Sequence, residues 1–159
     1  MYLLVKKLRI YIDTSVIGGY FDSEFKEESV ALFNRLENRE VVFVVSDLLE
    51  LELTNAPIHV RELLYNYSTE SFERVPLTDE AIKLGDLYIA EKVVGKTSLE
   101  DCRHIALATI NKVDVLASWN FKHIVNLERI KGYNSINLRE GYSMIEIRSP
   151  KDLINYGNE

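Results

Sequence analysis

VVFVVSDLLELELT, Val41–Thr54, is the stretch whose reading decides the fold. Its first five residues are apolar without interruption, which marks a strand covered on both faces. Ser46 and Asp47 then offer N-cap chemistry to LLELELT, whose spacing is helical. The same alternation extends outward in both directions. Residues 8–12, LRIYI, form a short β-branched and aromatic run that ends at Asp13, and a mixed stretch with Gly18-Gly19 follows. Helical spacing through Val30, Phe33 and Leu36 precedes the central strand. After it, Pro57 suits a helix first turn, and residues 72–75 read as a strand. Thr78 to about Val93 is helical, and Ser98 opens a further helix carrying Ile105, Ala108 and Ile110. Strands are expected at 113–117 and at 144–147, and Ser149-Pro150 starts a terminal helix. This order predicts an α/β fold, a mainly parallel sheet with helices on both faces.

The chain has 159 residues, 47% of them hydrophobic and 28% charged, which suits one domain over 1–159 with its own core. The start, MYLLVKKLRI, lacks the length and cleavage site of a leader, and no run approaches the roughly 20 apolar residues of a membrane span. The single cysteine, Cys102, excludes an internal disulfide and suits a reducing cytoplasm, where it reads as a small buried hydrophobe. With 19 basic and 25 acidic side chains the net charge is −6, which argues against wholesale binding of a phosphate backbone. An acidic site that holds divalent ions is still compatible with nucleic acid, because the ions invert the local charge.

In parallel α/β sheets the ligand sits beyond the carboxyl ends of the strands. Four polar positions fall there. Asp13 follows the first strand, with a local alternative as an N-cap. Glu52 shares a helix face with Leu48, Leu49 and Ala56, whereas Glu50 shares one with Ser46, Asp47 and Thr54. A carboxylate on a packing face needs a partner, either a cation or a salt bridge. Asp101 is third after Ser98 in S-L-E-D, a capping-box-like pattern. Asn120 follows the strand at 113–117, with a turn as its local alternative. Three carboxylates at one end of a sheet could hold a hard cation such as Mg²⁺ or Mn²⁺. Cys102 and His104 do not share a helix face and make no zinc pair, and His104 and His123 read as structural or surface residues. No phosphate-binding glycine loop or G-x-S-x-G elbow is present.

The pieces IYIDTSVIGGYF, VVSDLLELEL, LEDCRHIALATINKVDVLASWNFKHIVN and MIEIRSP, in this order, resemble the PIN-domain family, which includes the VapC-type ribonuclease toxins. The closest likeness is to a bacterial subgroup with SWNFKHIVN after the fourth strand. The resemblance implies a three-layer α/β/α sandwich and cleavage of RNA with Mg²⁺ or Mn²⁺. It also implies a small antitoxin as protein partner and a homodimer as an assembly to test. Residue by residue, it places the family acids on Asp13, Glu52 and Asp101, with Ser15 and Ser118 at supporting polar positions. The fourth acid falls on Asn120, whose amide oxygen could still serve a cation. Two functions follow as expectations: a metal-dependent endoribonuclease, or a catalytically weak PIN-like module that binds RNA or a protein partner. A phosphoaspartyl enzyme built on Asp13 ranks last, because that chemistry usually wants D-x-D where this chain has D-T-S.

Overall fold

The structure is a computed structural model that describes residues 6–157; of the domain expected over 1–159, residues 1–5 and 158–159 lie outside them. Within the described residues five strands form one sheet: β1 Leu8–Ile12, β2 Val41–Ser46, β3 Phe72–Val75, β4 Val115–Ala117 and β5 Ile147–Arg148. They run in the order β3-β2-β1-β4-β5, and every pairing is parallel. Among the described residues eight α-helices connect and cover them: α1 Thr14–Gly19, α2 Lys26–Glu37, α3 Asp47–Leu53, α4 Ile58–Arg61, α5 Asp79–Ala90, α6 Leu99–Ile110, α7 Leu127–Arg139 and α8 Pro150–Leu153.

Alternation along the strands splits the core in two. Tyr11, Val44 and Leu116 point into one cluster with Ala81, Tyr88, Ile105 and Tyr133 of α5, α6 and α7. Ile10, Ile12, Phe43, Val45, Val115 and Ala117 point into the other, with Ile17 of α1, Leu32, Phe33 and Leu36 of α2, and Leu153 of α8. Because both faces are covered, β2 is apolar without a break over Val41–Val45 and β4 over Val115–Ala117, which is why the former reads so clearly. Each fully buried Ile or Phe contributes roughly 1.5–3 kcal/mol from removing its surface from water.

Helix starts are set by side chains. Ser46 Oγ accepts the Leu49 N–H at 3.2 Å, so the expected cap forms there, and Thr78 Oγ1 caps α5 by accepting that of Ala81 at 3.2 Å. The S-L-E-D pattern makes no such cap: Ser98 precedes α6 without a side-chain bond. The strand expected at 113–117 begins at Val115, and the one expected at 144–147 consists of Ile147–Arg148. Asn134 explains the second shift, since its Oδ1 takes the Ile145 N–H at 2.7 Å and its Nδ2 donates to Ile145 O at 3.1 Å. The mixed stretch around Gly18-Gly19 is the short helix α1, held by burial of Val16 and Ile17.

The strand order creates the site. From β1 the chain moves outward through β2 and β3, then crosses back to place β4 on the other side of β1. The carboxyl ends of β1 and β4 therefore flank the point where the winding reverses, the position at which open α/β sheets bind ligands.

Candidate active site

Asp13 leaves β1 at that crevice and is 4% exposed. Its Oδ1 accepts the Ser15 hydroxyl at 2.5 Å and its Oδ2 accepts the Ser118 hydroxyl at 2.5 Å. Each serine is in turn fixed by the β4 exit loop: Ser15 Oγ accepts the Trp119 N–H at 2.8 Å and Ser118 Oγ that of Asn120 at 3.0 Å. The two hydroxyls thus stitch the ends of β1 and β4 together through one carboxylate. Although it precedes α1, Asp13 makes no side-chain cap there. Burial pushes its carboxyl above the ordinary aspartate value, against the pull of His104 and the two serine donors.

Glu52 comes from α3 on the inward side, and its side chain is 22% exposed. Glu50 points outward and pairs with Arg74 on the surface, so the two glutamates differ as the helical phase requires. Glu52 Oε1 is bonded to Nε2 of His104, a histidine on α6 that is 2% exposed. On the other side of the ring, Nδ1 lies 2.7 Å from the Tyr11 hydroxyl, which lies 2.8 Å from Ser46 Oγ. The buried chain Glu52–His104–Tyr11–Ser46 therefore ties α3, α6, β1 and the end of β2 together. Tyr11 is held far from ionisation, first by burial and further by the charges of Asp13 and Glu52.

Asp101 opens α6, half-buried. Burial raises its carboxyl above the usual value, the Asp13 charge raises it further, His123 and His104 oppose this, and Glu52 adds a smaller push. These acids therefore lie within electrostatic reach of one another. Asn120 Nδ2 donates to Asp101 Oδ2 at 3.2 Å. The amide oxygen of Asn120 is engaged elsewhere, accepting the N–H groups of Lys122 at 3.2 Å and His123 at 3.0 Å. Asn120 is thus a turn residue and a donor to Asp101 at once, and its donor end faces the acid. Cys102, beside Asp101, is buried with its thiol pushed up to about 12, chiefly by burial, and is inert as a nucleophile.

All four expected acid and amide positions, with Ser15 and Ser118, gather at the β1/β4 crevice. Among the described residues no three His, Cys, Asp or Glu side chains already stand in a metal-holding arrangement. The donors are nonetheless of the right kind. A carboxylate has about four acceptor sites; two are used on Asp13, one by His104 on Glu52 and one by Asn120 on Asp101. Hard oxygen remains for a hard cation, so the chemistry of the set fits Mg²⁺ or Mn²⁺.

Sequence reasoning missed His104, Tyr11 and Ser46 as a connected unit. The available signal was His104 three residues after Asp101 on the apolar face of α6, a polar residue that a core demands be satisfied. It also passed over Trp119, which Nε1 anchors to Ser29 Oγ at 2.9 Å.

Solved structures that share this architecture include a VapC toxin and VapBC and FitAB complexes. VapC20 of Mycobacterium tuberculosis, described as a sarcin-ricin loop cleaving toxin, superimposes with a TM-score of 0.55 at 12% identity, over 71% of this chain and 91% of that one. DNA-bound VapBC of Salmonella typhimurium gives 0.55 at 17% identity, over 90% and 98%. FitAcB of Neisseria gonorrhoeae gives 0.55 at 15% identity, over 89% and 97%. No family model and no curated relative matches the sequence. The chain therefore has a VapC-like PIN fold, the α/β/α arrangement expected from its sequence. Among the described residues no helix is long and apolar enough to cross a membrane.

Proposed function

We propose that this chain is a divalent-cation-dependent endoribonuclease, the toxin of a toxin–antitoxin pair acting on RNA in the cytoplasm. The observation that carries the reading is that Asp13, Glu52 and Asp101 lie within electrostatic reach of one another in a PIN fold, with Asp13 at the reversal point of its sheet. The structural neighbours support it: one is described as a sarcin-ricin loop cleaving toxin, and others are VapBC complexes bound to DNA. A small DNA-binding antitoxin is accordingly the protein partner, and a homodimer the assembly to look for.

In this reading Asp13, Glu52 and Asp101 hold the cation. Mg²⁺ or Mn²⁺ at such a site supplies positive charge for the scissile phosphate and a more acidic water. The protein's own part is orientation. Ser15 and Ser118 fix the plane of the Asp13 carboxylate, His104 fixes Glu52 through Oε1 and leaves Oε2 free, and Asn120 steadies Asp101. Asn120 contributes as a hydrogen-bond donor, because its oxygen is committed to the turn.

One geometric fact favours the second reading, a catalytically weak module that binds RNA or a protein. Every acid already has a non-acid donor, which offsets part of the repulsion between the charges without a cation. Incubation with a mixed RNA panel in Mg²⁺, in Mn²⁺ and in chelator separates the two. Cleavage that needs metal and disappears in Asp13→Asn supports the nuclease. Binding without cleavage in either metal replaces it with the module.

A further inference from the structure

The exit loop of β4 carries an aromatic cluster that the acid site does not use. Trp119 is 8% exposed and stacks on Phe25 with ring centres 4.3 Å apart and planes 20° apart. It cannot tilt freely. Its Nε1 is bonded to Ser29, its backbone N–H to Ser15, and it lies against Gly19, where a Cβ would sit 2.6 Å from Nε1. Phe121 leans on this base, 6.0 Å from Trp119 and 6.4 Å from Phe25, yet is 49% exposed. An exposed phenylalanine alone is ordinary. Here it directly follows Asn120, whose amide touches Asp101, and directly precedes the exposed Lys122. A buried, pinned tryptophan thus supports an open aromatic surface at the lip of an acid pocket.

We propose that Phe121, backed by Trp119 and Phe25, is a stacking platform for an unpaired nucleobase of single-stranded RNA, with Lys122 meeting the adjoining phosphate. The inference rests on the nuclease reading of the neighbouring acids. A phosphodiester bond is presented to such a pocket only if the strand is held beside it, and splayed bases are held mainly by stacking on aromatic rings. The charge distribution sets the direction of the strand. Around Phe25 the acids Asp22, Glu24, Glu27 and Glu28 outnumber the one base, Lys26, so the phosphates are placed on the Lys122 side. Stacking tolerates any base, so the platform provides grip and register rather than sequence choice.

Binding is measured in EDTA, where cleavage does not intervene, by anisotropy of a fluorescein-labelled mixed-sequence oligoribonucleotide; emission of Trp119, the chain's single tryptophan, serves as a second signal. Phe121→Ala is expected to weaken binding about tenfold and Phe121→Tyr no more than about twofold, the range of one base stacked on one ring. A strand with abasic sites should lose a similar factor against the wild-type protein and little more against Phe121→Ala. Lys122→Gln should weaken binding at low salt and less at high salt. Circular dichroism of each variant establishes that it is folded. Equal binding by Phe121→Ala and wild type, or by abasic and base-bearing strands, overturns the platform. Base-dependent binding by a wild-type protein that cleaves no RNA in Mg²⁺ or Mn²⁺ sinks the nuclease and leaves the platform standing. Asp13-dependent cleavage without any base dependence does the reverse.

Discussion

His104 has two neighbours that can be separated by substitution. An asparagine amide reaches roughly where Nδ1 sits and a glutamine amide roughly where Nε2 sits. His104→Asn should therefore keep the contact to the Tyr11 hydroxyl and release Glu52, and His104→Gln should do the opposite. Stability changes little between them. In the Asn variant the freed Glu52 side chain, already 22% exposed, turns to water. In the Gln variant Tyr11 keeps Ser46 at 2.8 Å. Each loses one hydrogen bond and some ring packing, about 1–2 kcal/mol, or roughly 2–8 °C of melting temperature at this size.

The two variants should part company in metal affinity. Loss of an outer partner that orients a metal ligand typically costs between about tenfold and a hundredfold. Calorimetric titration with Mn²⁺ is expected to show His104→Asn at least about tenfold weaker and His104→Gln within about threefold of wild type. The sign matters as much as the size. If His104 competed with the cation for Glu52, both substitutions would tighten Mn²⁺. Tightening in either, or equal loss in both, refutes the orienting role.

Three further outcomes are expected. Asp101→Asn retains an oxygen for the Asn120 amide and removes a charge whose protonation is raised in the fold by burial and by Asp13. The unfolded chain ionises first as pH rises, so folding stability falls from about pH 4, the ordinary aspartate value, upward through the raised folded value. In chelator the variant should melt higher at pH 7, roughly 2–4 °C per kcal/mol relieved, and the gain should vanish towards pH 4; a gain that grows on acidification contradicts this. Asn120→Asp keeps an acceptor for the turn but sets an oxygen against Asp101, so it should lower the melting temperature in chelator and tighten Mn²⁺; if calorimetry and melting show neither, the fourth position does not communicate with the cluster. Gly19→Ala would put its Cβ 2.6 Å from Trp119 Nε1 and 2.7 Å from Ser29 Oγ, costing about 1–3 kcal/mol and shifting tryptophan emission to longer wavelength; unchanged emission would mean that the ring is not pinned.

The sheet was legible where two-sided burial enforces an unbroken apolar run, as in Val41–Val45, and where a serine or threonine caps the following helix. It was not legible where a distant group decides the hydrogen bonding. Nothing near Met144 reports that Asn134 claims the Ile145 backbone, so the last strand was expected too early. In α1, Gly18 and Gly19 lower helix propensity, and burial of Val16 and Ile17 overrides it. The acids were visible because each stands at a strand exit, on an apolar helix face or in the first turn of a helix. Their donors were hidden because the pairs are distant in sequence: His104 is 52 positions from Glu52 and 93 from Tyr11, and Ser118 is 105 from Asp13.

Those hidden donors change the meaning of the acidic cluster. Three unpartnered carboxylates would repel and would make the fold depend on a cation. Here Asp13 has two hydroxyls, Glu52 an imidazole and Asp101 an amide, each within hydrogen-bonding distance. Asn120 fits this scheme because an amide has one accepting and one donating end. The turn at Lys122 and His123 takes the first, and only the second is left for the pocket. An aspartate in its place would present an acceptor to an acceptor. An entering cation must therefore bind alongside these donors or displace them. Its affinity is then set by how far the serines, His104 and Asn120 hold the remaining oxygens in a convergent geometry, more than by the number of charges in the pocket.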